Sequence, residues 1–317
     1  MTARPDRRCG CISIADLPAP PRGRHGWPWT VGSPPVPPVK PDGSNWPLIS
    51  IVTPSFNQGA FLETTIRSVL LQGYPHLEFV VMDGGSTDQS VAILRRYERW
   101  LSVWVSAPDD GQSDAINKGF ASATGDVLGW LNSDDFFAPS ALGIVATALC
   151  CGGPDLGAIV GMGSKIDADG HVLYSPLPEV VTRETLLDWC NGQNFMQPAC
   201  LFTRQAWEQA GPLRLDLHFC MDLALWLRIA ERHRFQVVPD TLAFIHMHNE
   251  AKTIKSRPRM YAEIALLLAT EAGAWDKGRS LLFSVLDADD TQKRGVKHLS
   301  LALARALVRN IKILWST

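Results

Sequence analysis

Four polar clusters carry residue types that can do chemistry, and each adjoins an apolar run. Asn132-Ser133-Asp134-Asp135 closes the run 127–131. Neighbouring carboxylates repel each other unless a cation or hydrogen-bond donors compensate them. Oxygen ligands of this kind suit Mg2+ or Mn2+, commonly shared with a phosphate. Read alone, the same four residues favour an acidic turn with a helix cap, since Pro139-Ser140 follow; their company changes that. Asp83 closes the run 77–82 and opens into Gly84-Gly85-Ser86-Thr87-Asp88. The glycines let the backbone turn tightly and approach a ligand, and a carboxylate there can accept an N–H from the edge of a nucleobase. Asp222 begins a run whose apolar face is Leu223, Trp226, Leu227 and Ala230. A carboxylate at a helix start is favoured by the helix dipole; over a bound ligand it can also act as a general base. His246-Met247-His248-Asn249 sets two imidazoles at i and i+2, on one face of a strand, where they can ligate a metal or simply end the strand.

The runs that carry these clusters alternate between two periods. Strand-like runs at 48–53, 77–82, 101–105 and 127–131 are separated by helical patterns. The first, 60–72, spaces Phe61, Leu62, Ile66, Val69 and Leu70; the second runs from a Thr87 or Asp88 cap to Trp100; the third covers 112–122. Such alternation predicts a mostly parallel sheet with helices on both faces. Ligands in these sheets bind beyond the carboxyl ends of the strands, so Pro54-Ser55-Phe56-Asn57, the 83–88 cluster and the 132–135 cluster should converge on one rim. Further on, the patterns predict strands at 159–166 and 171–174 around Asp167-Ala168-Asp169-Gly170. They also predict helices at 182–189 and 220–231, strands at 235–238 and 242–246, and helix after about residue 256.

Composition narrows the functional classes. The 317 residues carry 30 Lys and Arg against 32 Asp and Glu, a net charge of −2, which argues against binding nucleic acid by bulk charge. Apolar residues make up 46%, enough for a sizeable core. The seven cysteines form no CxxC pair, which points away from a disulfide scaffold or zinc site and towards a reducing compartment. No apolar run reaches the ~18 residues of a membrane span, and no secretory h-region opens the chain. A cytoplasmic enzyme is expected. Half of the 22 prolines lie in residues 1–47 with Trp27, Trp29 and Trp46. Proline excludes helix and central strand there, and the tryptophans favour an extended strap docked on the body from Trp27 onward. The expected organisation is therefore a Pro/Trp-rich segment 1–47, a catalytic domain 48–255 and a helical extension 256–317.

The ordered set of motifs resembles glycosyltransferase family 2, of the GT-A fold, over about residues 48–253. The resemblance is carried by 50–59 (SIVTPSFNQG), 83–88 (DGGSTD), 111–119 (GQSDAINKG), 123–126 (ATGD) and 131–135 (LNSDD). It continues through Gln197-Pro198-Ala199, 222–228 (DLALWLR) and 248–253 (HNEAKT). It implies that Pro54, Phe56 and Asn57 border a nucleotide, that Asp83 binds the base, and that Gln197 lies in the substrate site. Asp134 would hold Mn2+ or Mg2+, with Asn132 in place of the usual first acid. Asp114 stands near a position often held by a family arginine that contacts phosphate. Asp222 matches the catalytic base, with Met221 replacing the acid often found before it. His248 matches a histidine near the diphosphate or metal, and His246 stands where an arginine is more common.

What the resemblance implies is an inverting transfer of a sugar from a nucleotide diphosphate sugar to a glycan or lipid-linked acceptor, in surface polysaccharide or glycolipid synthesis. Two rivals share some of the features. A nucleotidyltransferase would usually carry a basic, Gly-rich loop after the first strand, whereas Pro54-Ser55-Phe56-Asn57-Gln58-Gly59 has no cation. A non-catalytic nucleotide-sugar binder would explain Asn132, Asp114 and Met221 but not the retention of both Asp134 and Asp222. Finally, residues 293–315 carry six Lys or Arg and no acid. Arg305, Arg309 and Lys312 share one helical face, so the segment can pack on protein or lie on the anionic inner face of the plasma membrane.

Overall fold

The computed structural model describes residues 2–3, 11–247, 256–270 and 273–290. The chain forms two compact units: the first runs to Asp216 and resumes over Met221–His248, and the second joins Leu217–Cys220 to the described part of 249–317. His248 and the basic stretch 293–315 lie outside the described residues.

The first unit is built on one ten-stranded sheet. Its strands are β1 (Thr2–Ala3), β2 (Ile49–Ser55), β3 (Leu77–Asp83), β4 (Val103–Ser106), β5 (Val127–Trp130), β6 (Asp135–Phe137), β7 (Leu156–Ile166), β8 (Val172–Tyr174), β9 (Cys200–Thr203) and β10 (Arg234–His246). The order is β1-β4-β3-β2-β5-β9-β7-β10-β6, with β8 added to β7. From β4 through β5 every pairing is parallel, as is β7 with β10, while β1, β6, β8 and β9 run antiparallel to their neighbours.

The helices of this unit are α1 (Leu62–Leu70), α2 (Ser90–Tyr97), α3 (Gln112–Ser122), α4 (Ala141–Cys151), α5 (Arg183–Leu186), α6 (Arg204–Ala210) and α7 (Met221–Ile229). Side chains alternate between the two faces of a strand, and β2 uses both. Ile49 and Ile51 join Leu62, Ile66 and Val69 of α1 in the main core. Val52 points the other way and meets α3 so closely that a Cβ on Gly119 would lie 2.4 Å from its Cγ1. The α/β class and the parallel arrangement expected from the sequence are therefore those of the molecule.

Several elements differ from the expectation. The strands expected at 235–238 and 242–246 are one strand, β10, whose pairing with β7 slips between Val237 and Thr241, so Pro239 interrupts the ladder without ending the strand. The helix expected at 182–189 ends at Leu186, and α2 begins at Ser90, whose N–H is accepted by the Asp88 carboxylate at 2.9 Å. Two helices, α4 and α6, and the strand β9 had no expectation. Residues Ala141, Leu142, Val145, Ala146 and Ala148 of α4 are buried, and the almost uniformly apolar sequence around them hides the helical period.

In the second unit, α8 (Arg257–Thr270) and α9 (Trp275–Asp290) pack on each other. They approach closely at Gly278, where a Cβ would lie 2.5 Å from the Ala265 carbonyl oxygen. Glu263 of α8 accepts the backbone N–H groups of His218, Phe219 and Cys220 at 2.6–2.9 Å. No helix among the described residues is long and apolar enough to cross a membrane.

Residues 11–47 run along the first unit, where the Trp27 indole donates to the Phe137 carbonyl at 2.8 Å and one buried side chain collects several of the segment's carbonyls. Arg67 of α1 is fully buried. Its guanidinium donates to the carbonyls of Pro28 (3.0 Å), Pro18 (2.9 Å) and Trp29 (2.9 Å) and to the Tyr97 hydroxyl (3.0 Å), and it lies 5.3 Å from the Trp29 ring centre. Tyr97 in turn donates to Glu63 at 2.7 Å; burial pushes its phenol up to about 12. A proline-rich segment has few backbone donors and many carbonyls, and a five-donor guanidinium suits such a partner. Arg67→Met keeps the stem and removes the donors. Each orphaned buried acceptor costs about 1–3 kcal/mol, so a loss of about 3 kcal/mol or more is expected in chemical denaturation. A loss below about 1 kcal/mol would show that the segment is not held in this way.

Candidate active site

Asp83, the last residue of β3, is buried. Its carboxylate accepts the Ser86 N–H (2.9 Å), the Ser86 hydroxyl (2.5 Å) and the Ser106 hydroxyl (2.6 Å). It thereby joins the ends of β3 and β4 to the 84–88 loop. Three of its roughly four lone-pair directions are used, leaving one for a further donor. Asn57 adopts a left-handed conformation with φ 53°, which asparagine tolerates better than most residues. Its side-chain oxygen accepts the Thr87 N–H at 2.9 Å, and its own N–H donates to the Ser86 hydroxyl at 2.7 Å. The loop after Pro54 is thus tied to the loop after Asp83, and Phe56 projects from it with 61% of its surface exposed. A large exposed aromatic beside a buried carboxylate is an arrangement onto which a planar base can stack.

Beyond β5 the chain turns through Asn132-Ser133-Asp134-Asp135. Asn132 accepts from Gln112 at 2.7 Å, donates to Asp135 at 3.2 Å and lies 3.5 Å from the Gln197 side-chain oxygen. Gln197 donates to the Trp130 carbonyl at 2.9 Å. The first turn of α3, the end of β5 and the segment before β9 therefore meet at Asn132. The backbone of the turn is held from below: the buried Thr65 hydroxyl lies 2.9 Å from the Ser133 carbonyl and 2.6 Å from that of Asp135. Burial first, and the adjacent Asp134 carboxylate second, push the Asp135 carboxyl well above the usual range. Lys165 of β7 acts in the opposite sense on Asp135, which puts a cation on this side of the sheet. It is set there by register, because Lys165 pairs with Ile245 of β10.

Asp222 lies in the first turn of α7 and accepts the Leu223 N–H at 2.8 Å. Trp226, one turn further on, stacks on Trp130 at 5.6 Å between ring centres with an interplanar angle of 17°. Phe202 of β9 packs against both rings. Residues i and i+4 share a helical face, so Asp222 lies on the face of α7 that Trp226 turns towards Trp130. The Asp222 carboxylate is also felt by the buried Cys200 thiol, which burial and, secondarily, that charge push upward.

Asp114 is engaged elsewhere. It accepts the Asp110 N–H at 3.0 Å and the Lys118 ammonium at 2.6 Å, which hold its carboxyl below the usual range. The structure thus brings together Pro54, Phe56, Asn57 and Asp83 in one loop pair and Asn132, Asp134 and Gln197 in another, with Asp222 near the second. Sequence reasoning did not single out Thr65, Gln112, Ser106 or Lys165. Of the residues that hold the site, Ser86 and Gln112 lay inside motifs, with no supporting role read for either.

The donor set at the turn fits a hard divalent cation. Asp134 offers carboxylate oxygens, the neighbouring Asp135 carboxyl is raised by burial first and by the Asp134 charge second, and the adjacent Asn132 and Gln197 are oxygen- and nitrogen-bearing amides. A separate cluster, Asp167, Asp169 and His171, sits in the exposed turn between β7 and β8. There Asp167 accepts the N–H groups of Asp169 and His171, each at 2.9 Å, which accounts for the cluster as a turn.

Residues 50–207 match the family described as glycosyl transferase family 2. An uncharacterized glycosyltransferase of Mycobacterium tuberculosis is 42% identical over 110 residues, 34% of this chain and 42% of its own length. The O-antigen biosynthesis protein RfbC of Myxococcus xanthus is 34% identical over 196 residues, 59% of this chain and 15% of its own. The chain therefore spans less than half the length of either relative. Among solved structures, S. aureus TarS 1–349 in complex with UDP superposes with a TM-score of 0.57 at 16% identity, covering 80% of this chain and 77% of that one. The mannosyltransferase PcManGT from Pyrobaculum calidifontis, in complex with GDP-Man and Mn2+, gives 0.55 at 20% identity, covering 82% and 80%. At such identities the likeness is one of fold, the GT-A arrangement.

Proposed function

This chain belongs to glycosyl transferase family 2, and from that premise we propose that it transfers a sugar from a nucleoside diphosphate sugar to an acceptor hydroxyl in a single inverting displacement. The observation that carries this reading is that Phe56 and Asp83 stand at the paired ends of β2 and β3, that the Asn132–Asp135 turn follows β5, the parallel neighbour of β2, and that Asp222 heads the helix whose Trp226 stacks on Trp130 of β5. Asp83 takes an N–H of the base on its remaining lone pair, and Phe56 covers the ring. Asn132 and Gln197 hold the turn in place through the Gln112 and Trp130 contacts. Asp134 would hold Mn2+ or Mg2+, which when bound would supply Lewis-acid stabilisation to the departing diphosphate. The acceptor oxygen attacks the anomeric carbon from the face opposite the diphosphate, the carbon–diphosphate bond breaks, and the hydroxyl proton passes to the Asp222 carboxylate. One base on one face gives inversion, by the logic that separates inverting from retaining sugar chemistry.

The ligands named in the TarS and PcManGT complexes, UDP-GlcNAc, UDP and GDP-Man, support a nucleotide sugar as substrate. The O-antigen relative supports a surface polysaccharide or glycolipid as the product class. Product analysis tests the stereochemical part of this reading. With an α-linked nucleotide sugar as donor, proton NMR of the anomeric centre should show a β-linked product, and retention of configuration would overturn the single displacement.

A further inference from the structure

We propose that His246 is a positioning residue for Asp134, acting through the backbone carbonyl of that residue. The inference rests on the reading of Asp134 as the holder of a divalent cation. His246 is the last residue of β10, and its Nδ1 lies 2.9 Å from the Asp134 carbonyl oxygen. A carbonyl oxygen only accepts, so Nδ1 carries the hydrogen and the tautomer is set. The ring is flanked by Phe136, 5.0 Å away between centres, and Phe61, 5.8 Å away. Antiparallel pairing of Ile245 with Asp135 fixes the height of β10 against the turn. The ring therefore has little room to swing away from its acceptor.

The effect on the turn follows from its neighbours. Thr65 reaches the carbonyls of Ser133 and Asp135, and His246 takes the one between them. The single Thr65 proton is shared between the Ser133 and Asp135 carbonyls, and His246 donates to that of Asp134. A peptide plane whose carbonyl is pinned cannot rotate about its flanking bonds without breaking that contact. With the Asp134 carbonyl pinned, the Cα–Cβ direction from which its carboxylate extends is restricted before any ligand arrives. Thr65 and His246 act here on the backbone of the turn, and through it on where the Asp134 carboxylate starts from.

Substitutions in the full chain separate the donated hydrogen bond from the ring. In His246→Asn the amide nitrogen can take the place of Nδ1 and keep the donor. His246→Gln sets its amide where Nε2 lies and leaves the carbonyl without one. His246→Phe keeps the aromatic stack and has no donor at all. The measurement is Mn2+ binding, read from the free-ion electron paramagnetic resonance signal with UDP, GDP, CDP and dTDP present in turn, alongside melting temperatures for each variant. Loss of an outer partner of a metal ligand typically weakens metal affinity ~10–100-fold, so the Gln and Phe variants should weaken Mn2+ binding by that factor while Asn stays within ~3-fold of the wild type. Equal binding by all four proteins would overturn the proposal, as would an Asn variant as weak as the Phe variant. Wild-type protein that binds no Mn2+ with any of the nucleotides would instead overturn the cation reading of Asp134 and this inference with it.

Discussion

Asp222→Asn should retain donor binding and lose transfer by about 10²–10⁴-fold, the usual contribution of a positioned general base. The amide has the shape of the carboxylate and can still accept the Leu223 N–H that Asp222 accepts at 2.8 Å, so the start of α7 keeps its local contact. The Trp226–Trp130 stack that carries the helix is untouched. What is lost is the capacity to take a proton from the acceptor hydroxyl. The split is therefore diagnostic: the KM for donor should change little while kcat falls. A variant with a near-normal rate would return Asp222 to the role of a helix N-terminal carboxylate. A variant that binds donor poorly would place the residue in the donor site.

Asp134→Ala should abolish Mn2+-dependent donor binding and reduce turnover by about 10²-fold or more, since the cation stabilises charge that develops on the leaving group. The side chain is only part-buried at the rim, and the backbone under it is held by Thr65 and His246, so the melting temperature should stay close to that of the wild type. The substitution also removes the second cause of the raised Asp135 carboxyl, leaving burial as the first. Titration with Mn2+ should show saturation for the wild type and none for the variant. Undiminished Mn2+ activation in the variant would assign the cation to other residues.

Much of the frame was legible because strand and helix periods differ. The runs that became β2, β3 and β5 end in Pro54-Ser55, Asp83 and Asn132, and a parallel sheet sends such ends to one rim. The limits at α3, residues 112–122, could be read from its spacing. What escaped reading had weak local signals. Helix α4 is apolar on nearly every side, so it shows no moment. Strand β9 is four residues long. Pro239 suggested two strands where a slipped ladder continues as one.

The same division holds at the site. Asp83, Asp134 and Asp222 were visible as acids at element ends. Their supports were not, because Thr65 meets the turn across 68 and 70 residues of sequence and Gln112 meets Asn132 across 20. Two of these contacts run to backbone carbonyls, which every residue type supplies, so no spacing rule marks them. Arg67 shows the same thing at larger scale. In the sequence it is a charge on the apolar period of α1, and only the fold shows the three carbonyls of the N-terminal segment that occupy it.

The most direct test of catalysis at this rim is release of nucleoside diphosphate from a panel of nucleotide sugars, measured on the full chain with Mn2+ and again with EDTA. Binding of a true donor to the folded protein should first raise its melting temperature through mass action, which selects the nucleotide sugar to use. With that donor, diphosphate should appear with Mn2+, fall to background with EDTA, and fall likewise in Asp134→Ala. Binding of a donor with no release of diphosphate under any condition, or release unaffected by EDTA, would contradict the account.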